Sequence, residues 1–244
     1  MKTNTILCLH GAFLNGQMFD CLRKAVKAQT NAEIKLFTPT LLGHGTNNTE
    51  KLSYAKQAAW LEENYGHTKP ILLGHSMGAG IAMQCALQWS CPIEALFLCG
   101  AGIGKPNGPN TTQGFLARGI KPELSRDFVA KMVNGWFFNK EHDLAAILRK
   151  QILDLSKSQF DEIQASLLTG VDQTKGNIED LQIKATILHG REDQNRSLKE
   201  ANELALCLNG ELIIFEECGH MVPIEMAEAL AKKLVFQTHY DGNQ

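Results

Sequence analysis

Apolar residues fall into two rhythms along the chain. Six short runs, Thr5–Gly11 (TILCLHG), Ile34–Thr40 (IKLFTPT), Pro70–Ser76 (PILLGHS), Ile93–Ala101 (IEALFLCGA), Ala185–Asp193 (ATILHGRED) and Glu211–His220 (ELIIFEECGH), begin almost wholly apolar and end in glycine or polar residues. Between them lie longer segments with helical spacing, near Gln17–Gln29, Glu50–Tyr65, Met77–Trp89, Ser197–Leu208 and Ile224–Gln237. Near-continuous apolar runs of this length predict strands buried on both faces. Their alternation with helices predicts an α/β fold with a mostly parallel sheet flanked by helices.

The rhythm breaks after Gly102. Gly102–Phe115 (GIGKPNGPNTTQGF) is a Gly/Pro/Asn loop, and from about Lys121 to Leu168 amphipathic stretches follow one another with no strand-like run between them. The chain therefore divides into a core, residues 1–101 and 177–244, and a helical cap inserted over residues 102–176. Within the cap, FVAKMVNGWFF sets Phe128, Val129, Met132, Val133, Trp136 and Phe137 largely on one helical face. For any one of these residues, packing onto the host is a commoner role than touching a ligand.

Composition narrows the partners. A chain of 244 residues with 44% hydrophobic and 20% charged residues suffices for one substantial core. The 24 basic and 26 acidic residues form no long block of either sign, so neither nucleic acid nor a membrane surface is favoured. A small-molecule substrate is expected, with the protein a monomer or homodimer. The 7 cysteines are odd in number, lie mostly in apolar runs and form no C-x-x-C pair, as reduced core thiols do. A cytoplasmic location is the corresponding expectation. The start, MKTNTILCLHGAFL, is interrupted at His10 and offers no small-residue cleavage site, so it reads as a first strand rather than a signal peptide.

Candidate chemistry centres on Gly74-His75-Ser76-Met77-Gly78, a G-x-S-x-G string between the strand-like PILL and a helix-like segment. Glycines at those two positions suit a sharp strand-to-helix turn that exposes the serine hydroxyl and aims the first helical N–H groups, Met77's among them, at a developing anion. A serine hydroxyl needs a base, and the base an acid to orient it. His220 follows the last strand-like run in a Gly-His turn, and Asp193 lies three residues beyond Gly190 at the end of the run before it. Both fall at carboxyl ends of later strands, where open α/β sheets build their sites. Asp172 and Asp180 are the competing acids. His75 and His189 read as packing or pocket wall, and His10 as a brace for its own loop. No H-E-x-x-H string and no Cys/His cluster occurs in the sequence, so neither a metal nor another cofactor is expected.

On these residues the chain resembles the α/β-hydrolase fold family, whose catalytic order is Ser, acid, His. The resemblance covers almost everything outside the cap. It implies Ser76 as nucleophile, Asp193 as acid and His220 as base. His10-Gly11 at the end of the first strand is similar to the family's oxyanion loop, which implies that Ala12 N–H, or else Phe13 N–H, joins Met77 N–H in the oxyanion hole. The chain starts at the strand leading into that loop, without the antiparallel strands of larger members, which implies a six-stranded sheet. Where members often read Asp-Leu-Pro-Gly-His-Gly, this chain has Thr40-Leu41-Leu42-Gly43-His44-Gly45.

The implied reaction is hydrolysis of a carboxylic ester through an acyl-enzyme on Ser76. The candidate substrate-binding residues, Phe13, His75, Phe115, Leu116, Phe128, Met132, Trp136 and Phe137, are mainly apolar and favour small to medium apolar acyl groups. A looser resemblance is to small bacterial carboxylesterases and to the biotin-pathway methyl esterase and enol-lactone hydrolase branches. Acyl transfer, C–C bond hydrolysis, a lyase reaction and ligand reception without turnover remain open, because a fold does not fix its chemistry.

Overall fold

The computed structural model describes residues 4–45, 53–104, 106, 108–174 and 178–240. Glu50, where the sequence starts the second helix, and residues 176–177, where it ends the cap, lie outside the described residues.

Six strands, β1 (Thr5–Leu9), β2 (Lys35–Phe37), β3 (Ile71–His75), β4 (Ala95–Cys99), β5 (Ala185–Gly190) and β6 (Glu211–Phe215), form one sheet in the order β2-β1-β3-β4-β5-β6. Every pairing is parallel, with Leu9 opposite Gly74, His75 opposite Cys99 and Gly190 opposite Phe215 near the carboxyl edge. β1, β3, β4 and β5 are buried along their whole length, as their apolar runs predict. β6 departs from that expectation: Glu211 is exposed and the rest of the strand half-buried. As an edge strand with one neighbour, it leaves part of its apolar run uncovered.

The side-chain period of two splits the core between the faces of the sheet. Leu7, Leu9, Leu72, Leu96, Leu98 and Ile187 pack with helices α2 (Tyr54–Tyr65), α3 (Met77–Gln88) and α8 (Leu198–Cys207). Ile6, Cys8, Ile71, Leu73, Phe97 and Leu188 pack on the other face with α1 (Asp20–Gln29) and α10 (Ala227–Tyr240). The helix starts follow local chemistry. Ser53 accepts a hydrogen bond from Lys56 N–H to open α2, and Ser197 with Glu200 makes a reciprocal capping box on α8. The last predicted helix is two: α9 (Val222–Glu225), with Pro223 in its first turn, breaks at Met226 before α10 begins.

Between β4 and β5 stand α4 (Thr112–Ala117), α5 (Arg126–Asn134), α6 (Asp143–Leu153) and α7 (Lys157–Thr174). α5 packs on α6, and α7 reaches back to α3. Phe128, Val129, Met132 and Val133 of α5 are all buried and continuous with the core face that carries α1 and α10. Among the described residues no helix is long and apolar enough to cross a membrane.

Candidate active site

Ser76 sits between β3 and α3 with φ 53° and ψ −113°, a region that a residue with a Cβ enters only when its surroundings hold it there. The surroundings are specific. Ser76 N–H donates to Cys99 O at 2.9 Å, and Ser76 O accepts from Ala79 and Gly80. A methyl on Gly74 would stand 2.5 Å from Ala79 Cα, and one on Gly78 would run into the carbonyl of Leu9 and stand 2.7 Å from that of His10. Both glycines therefore let the helix start close against β1 and β3, which is the physical content of the G-x-S-x-G spacing.

The candidate acid, Asp193, and the candidate base, His220, follow the ends of β5 and β6. His220 Nδ1 and Asp193 Oδ2 are 2.7 Å apart, with the carboxylate fully buried. The other oxygen, Asp193 Oδ1, accepts the backbone N–H groups of Asn195 at 2.7 Å and Arg196 at 3.0 Å. Burial works to raise the Asp193 pKa. The facing His220, its hydrogen bond, nearby His189 and the Arg196 N–H outweigh it and hold the carboxyl below its ordinary value. A carboxylate in that position keeps the proton of a neutral imidazole on Nδ1 and leaves Nε2 as acceptor. The backbone of His220 is tied in turn: its N–H donates to Trp136 O at 2.7 Å, and its carbonyl accepts from His75 Nε2 at 2.9 Å.

The loop after β1 completes the arrangement. A methyl on Gly11 would stand 2.7 Å from His75 Nδ1 and 3.6 Å from Ser76 Cβ, so this loop lies directly against the serine turn. Phe13 takes a positive φ of 67°. Among the described residues, the N–H groups of Ala12 and Met77 donate to no protein acceptor, and both residues line the cavity beside Ser76. His10 braces the loop from behind: its Nδ1–H donates to Gly11 O at 2.8 Å, and its Nε2 accepts Leu41 N–H at 3.0 Å. Those two bonds fix the tautomer. Burial, with His44 next to it, holds the His10 pKa well below its ordinary value. The divergent Leu41-Leu42 segment is held by Gln57, whose amide exchanges two hydrogen bonds with Leu42.

The cavity holds about 1030 Å³ of unfilled space, part of it open to solvent. Ser76, His220, Ala12, Met77, Phe13, His75, Met132 and Trp136 all line it, and buried Asp193 stands behind His220. Four of the residues expected at the substrate do not. Phe115 is buried against Phe128, with ring centroids 4.9 Å apart, and Phe128 in turn faces Phe160. Phe137 stacks on His142, and Leu116 points outward at 55% exposure. Helical spacing identifies an apolar face, but most of this one seals the cap onto the core. The cavity is also more polar than an apolar cap suggests, since Tyr54, Asn110, Thr111, Thr112, Gln113 and Arg196 line it. The sequence holds a signal for Arg196 alone, in its place three residues after Asp193. Of the competing acids, Asp180 lies in a short 3-10 turn before β5, on neither the serine turn nor the His220 loop. The cysteines form no disulfide, and burial raises the Cys8 thiol to about 12, as expected of a core residue.

The model of the alpha/beta hydrolase family matches residues 6–233. A 2-hydroxymuconate semialdehyde hydrolase of Pseudomonas putida is 27% identical over 217 residues, 81% of this chain and 74% of that protein. A meta-cleavage product hydrolase from Pseudomonas fluorescens IP01 superposes with a TM-score of 0.79 at 17% identity, covering 98% of this chain and 91% of that one. An esterase from Exiguobacterium antarcticum superposes at 0.75 with 20% identity, covering 98% and 93%. With a family model that spans nearly the whole chain and a six-stranded parallel sheet carrying a serine turn, the protein belongs to the alpha/beta hydrolase family and is a hydrolase.

Proposed function

We propose that the protein hydrolyses carboxylic esters through a covalent acyl-enzyme. The observation that carries this reading is the 2.7 Å Asp193–His220 pair at the wall of the same cavity onto which Ser76 is turned by its strained backbone. Ser76 Oγ attacks the ester carbonyl as His220 Nε2 takes its proton. The N–H groups of Ala12 and Met77 receive the oxyanion, and Asp193 balances the charge that forms on the ring. Collapse breaks the C–O bond, and His220 returns the proton to the leaving alkoxide. Water, deprotonated by His220, then attacks the acyl-enzyme and releases the acid and free Ser76.

A second reading is C–C bond hydrolysis with the same residues. It is favoured by the relatives, among which a 2-hydroxymuconate semialdehyde hydrolase and several 2-hydroxy-6-oxononadienedioate hydrolases match at 22–30% identity. There the acyl carbon leaves with hydroxyl from water, and the departing carbon takes the proton.

Hydrolysis of p-nitrophenyl esters from acetyl to dodecanoyl, by the wild type and by Ser76→Ala in parallel, tests the first reading. Turnover that falls at least about 10³-fold in the variant supports it. Absence of turnover on every ester, with cleavage of a 2-hydroxy-6-oxo-dienoic acid, transfers the assignment to C–C hydrolysis.

A further inference from the structure

The turn that seats Asp193 is itself held by a residue from another part of the chain. Asn195 N–H and Arg196 N–H donate to Asp193 Oδ1. Asn110, in the loop between β4 and α4, grips that turn twice: its backbone N–H donates to Gln194 O at 3.1 Å, and its Nδ2 donates to Asn195 Oδ1 at 3.1 Å. Gly108 lets the loop come this close, since a methyl there would run into the carbonyls of Gln194 and Asn195.

The other N–H of the same amide reaches the cap. Asn110 Nδ2 also donates to Met132 O at 2.9 Å, one of the end carbonyls of α5 that a helix cannot satisfy by itself. Gly135 makes room for the amide, because a methyl there would stand 2.5 Å from Asn110 Oδ1. Asn110 is 6% exposed, and both of its amide hydrogens are committed inside the protein. The same stretch of the cap holds the base loop. Trp136 O accepts His220 N–H at 2.7 Å, and Glu225 accepts from Phe138 N–H at 2.7 Å and Gly219 N–H at 3.0 Å. Residues 132–138 are therefore tied to the acid turn through Asn110 and to the base loop directly.

Asp193 lies three residues past β5 and His220 five past β6, so the sheet fixes where the two loops leave but not how they meet. A side-chain pair is held at 2.7 Å when its supporting shell locks both partners, and here one cap segment supports both. We propose that Asn110 is a positioning residue for Asp193: by tying the acid turn to the end of α5, it sets the acid against a base loop tied to the same end. This rests on the reading of Asp193 and His220 as acid and base. Asn110 also lines the cavity, so the rival role is direct contact with substrate.

The test uses Asn110→Ala, which removes the donor, and Asn195→Ala, which removes the acceptor but keeps the backbone N–H that Asp193 needs. In each folded variant, kcat on p-nitrophenyl butyrate, per site titrated with a fluorophosphonate, should fall about 10-fold, the effect of one hydrogen bond. KM should stay within about 2-fold of the wild type. The double variant should lose no more than about 2-fold beyond the larger single effect, because both changes break one bond; independent roles would multiply to about 100-fold. The proton NMR signal of His220 Nδ1–H, drawn far downfield by the buried carboxylate and assigned by its loss in Asp193→Asn, reads the pair without substrate. It should move upfield or broaden in both variants.

A folded Asn110→Ala protein with kcat within about 2-fold of the wild type, or with an unmoved Nδ1–H signal, overturns the proposal. A raised KM with an unmoved signal makes Asn110 a substrate contact instead. If Asn110→Ala does not fold, Asn195→Ala carries the same test. If the wild type neither hydrolyses the ester nor takes up the fluorophosphonate, the ester reading fails separately, and the signal decides: movement in both variants upholds the positioning role, and no movement refutes it. A wild type with no signal that Asp193→Asn removes refutes the pair and the positioning role with it.

Discussion

Replacing Asp193 by Asn is the sharpest test of how the site works, because the structure fixes how the amide must sit. Asp193 Oδ1 accepts two backbone N–H groups, at 2.7 and 3.0 Å. An amide NH2 cannot take that place without setting donors against donors, so the amide oxygen occupies it and the NH2 turns to His220 Nδ1, now 2.7 Å away. The ring must then accept at Nδ1 and carry its proton on Nε2. That is the tautomer unable to take a proton from Ser76. Loss of the correct tautomer costs about 10⁴ in kcat where the same geometry has been tested in serine proteases, equivalent to about 5.5 kcal/mol of barrier at 1.36 kcal/mol per decade. The readout need not wait for the natural substrate. Labelling of Ser76 by a fluorophosphonate, followed by intact mass, reports nucleophile activation directly, and p-nitrophenyl ester hydrolysis reports turnover. Asp193→Asn should slow both by three to four orders of magnitude while its melting curve still shows a folded protein. A folded Asp193→Asn protein that labels within about 10-fold of the wild type would refute the assignment of Asp193 as the orienting acid.

Two further predictions follow from the strained turn and the buried rings. Ser76→Gly and Ser76→Ala should both abolish labelling, but Gly should be the more stable by about 1 kcal/mol, because φ 53° with ψ −113° strains a residue with a Cβ and not glycine; chemical denaturation reads the difference, and an Ala variant as stable as Gly contradicts the strain. Burial lowers His44 from 6.5 to about 4 and His75 from 6.5 to about 3, so below pH 6.5 the unfolded chain binds protons that the folded state refuses. The folded state is favoured above pH 6.5 and loses stability as the pH falls towards those folded values, by about 2 kcal/mol for each ring at pH 5. Urea midpoints that coincide at pH 7.5 and pH 5 would show that these rings are not held neutral.

The sequence by itself determined the sheet and the chain order of the candidate residues. Apolar runs such as Ile71–Leu73 and Leu96–Cys99 cannot be solvated, and helices between them force parallel pairing, so the strands and their carboxyl ends follow from patterning. Gly74 and Gly78 mark the serine turn because only their lack of a Cβ permits the approach to Ala79 and to the end of β1. Ser76, Asp193 and His220 were legible as candidates because each stands just past a strand: Ser76 next to His75, Asp193 three residues beyond Gly190 and His220 five beyond Phe215.

The substrate side was not legible, because it is set by contacts between elements distant in the chain. Periodicity showed that Phe128 and Phe137 face inward, but whether inward meant cavity or core depended on where Phe160 and His142 lay, and only the packed cap decides that. Tyr54 and Arg196 are 142 positions apart in the numbering and line one cavity only because α2 and the turn before α8 cover the same face of the sheet. Strands and turns are specified by local patterns of burial and backbone freedom. A pocket is the space left where several elements fail to touch, and no local stretch of sequence encodes its walls.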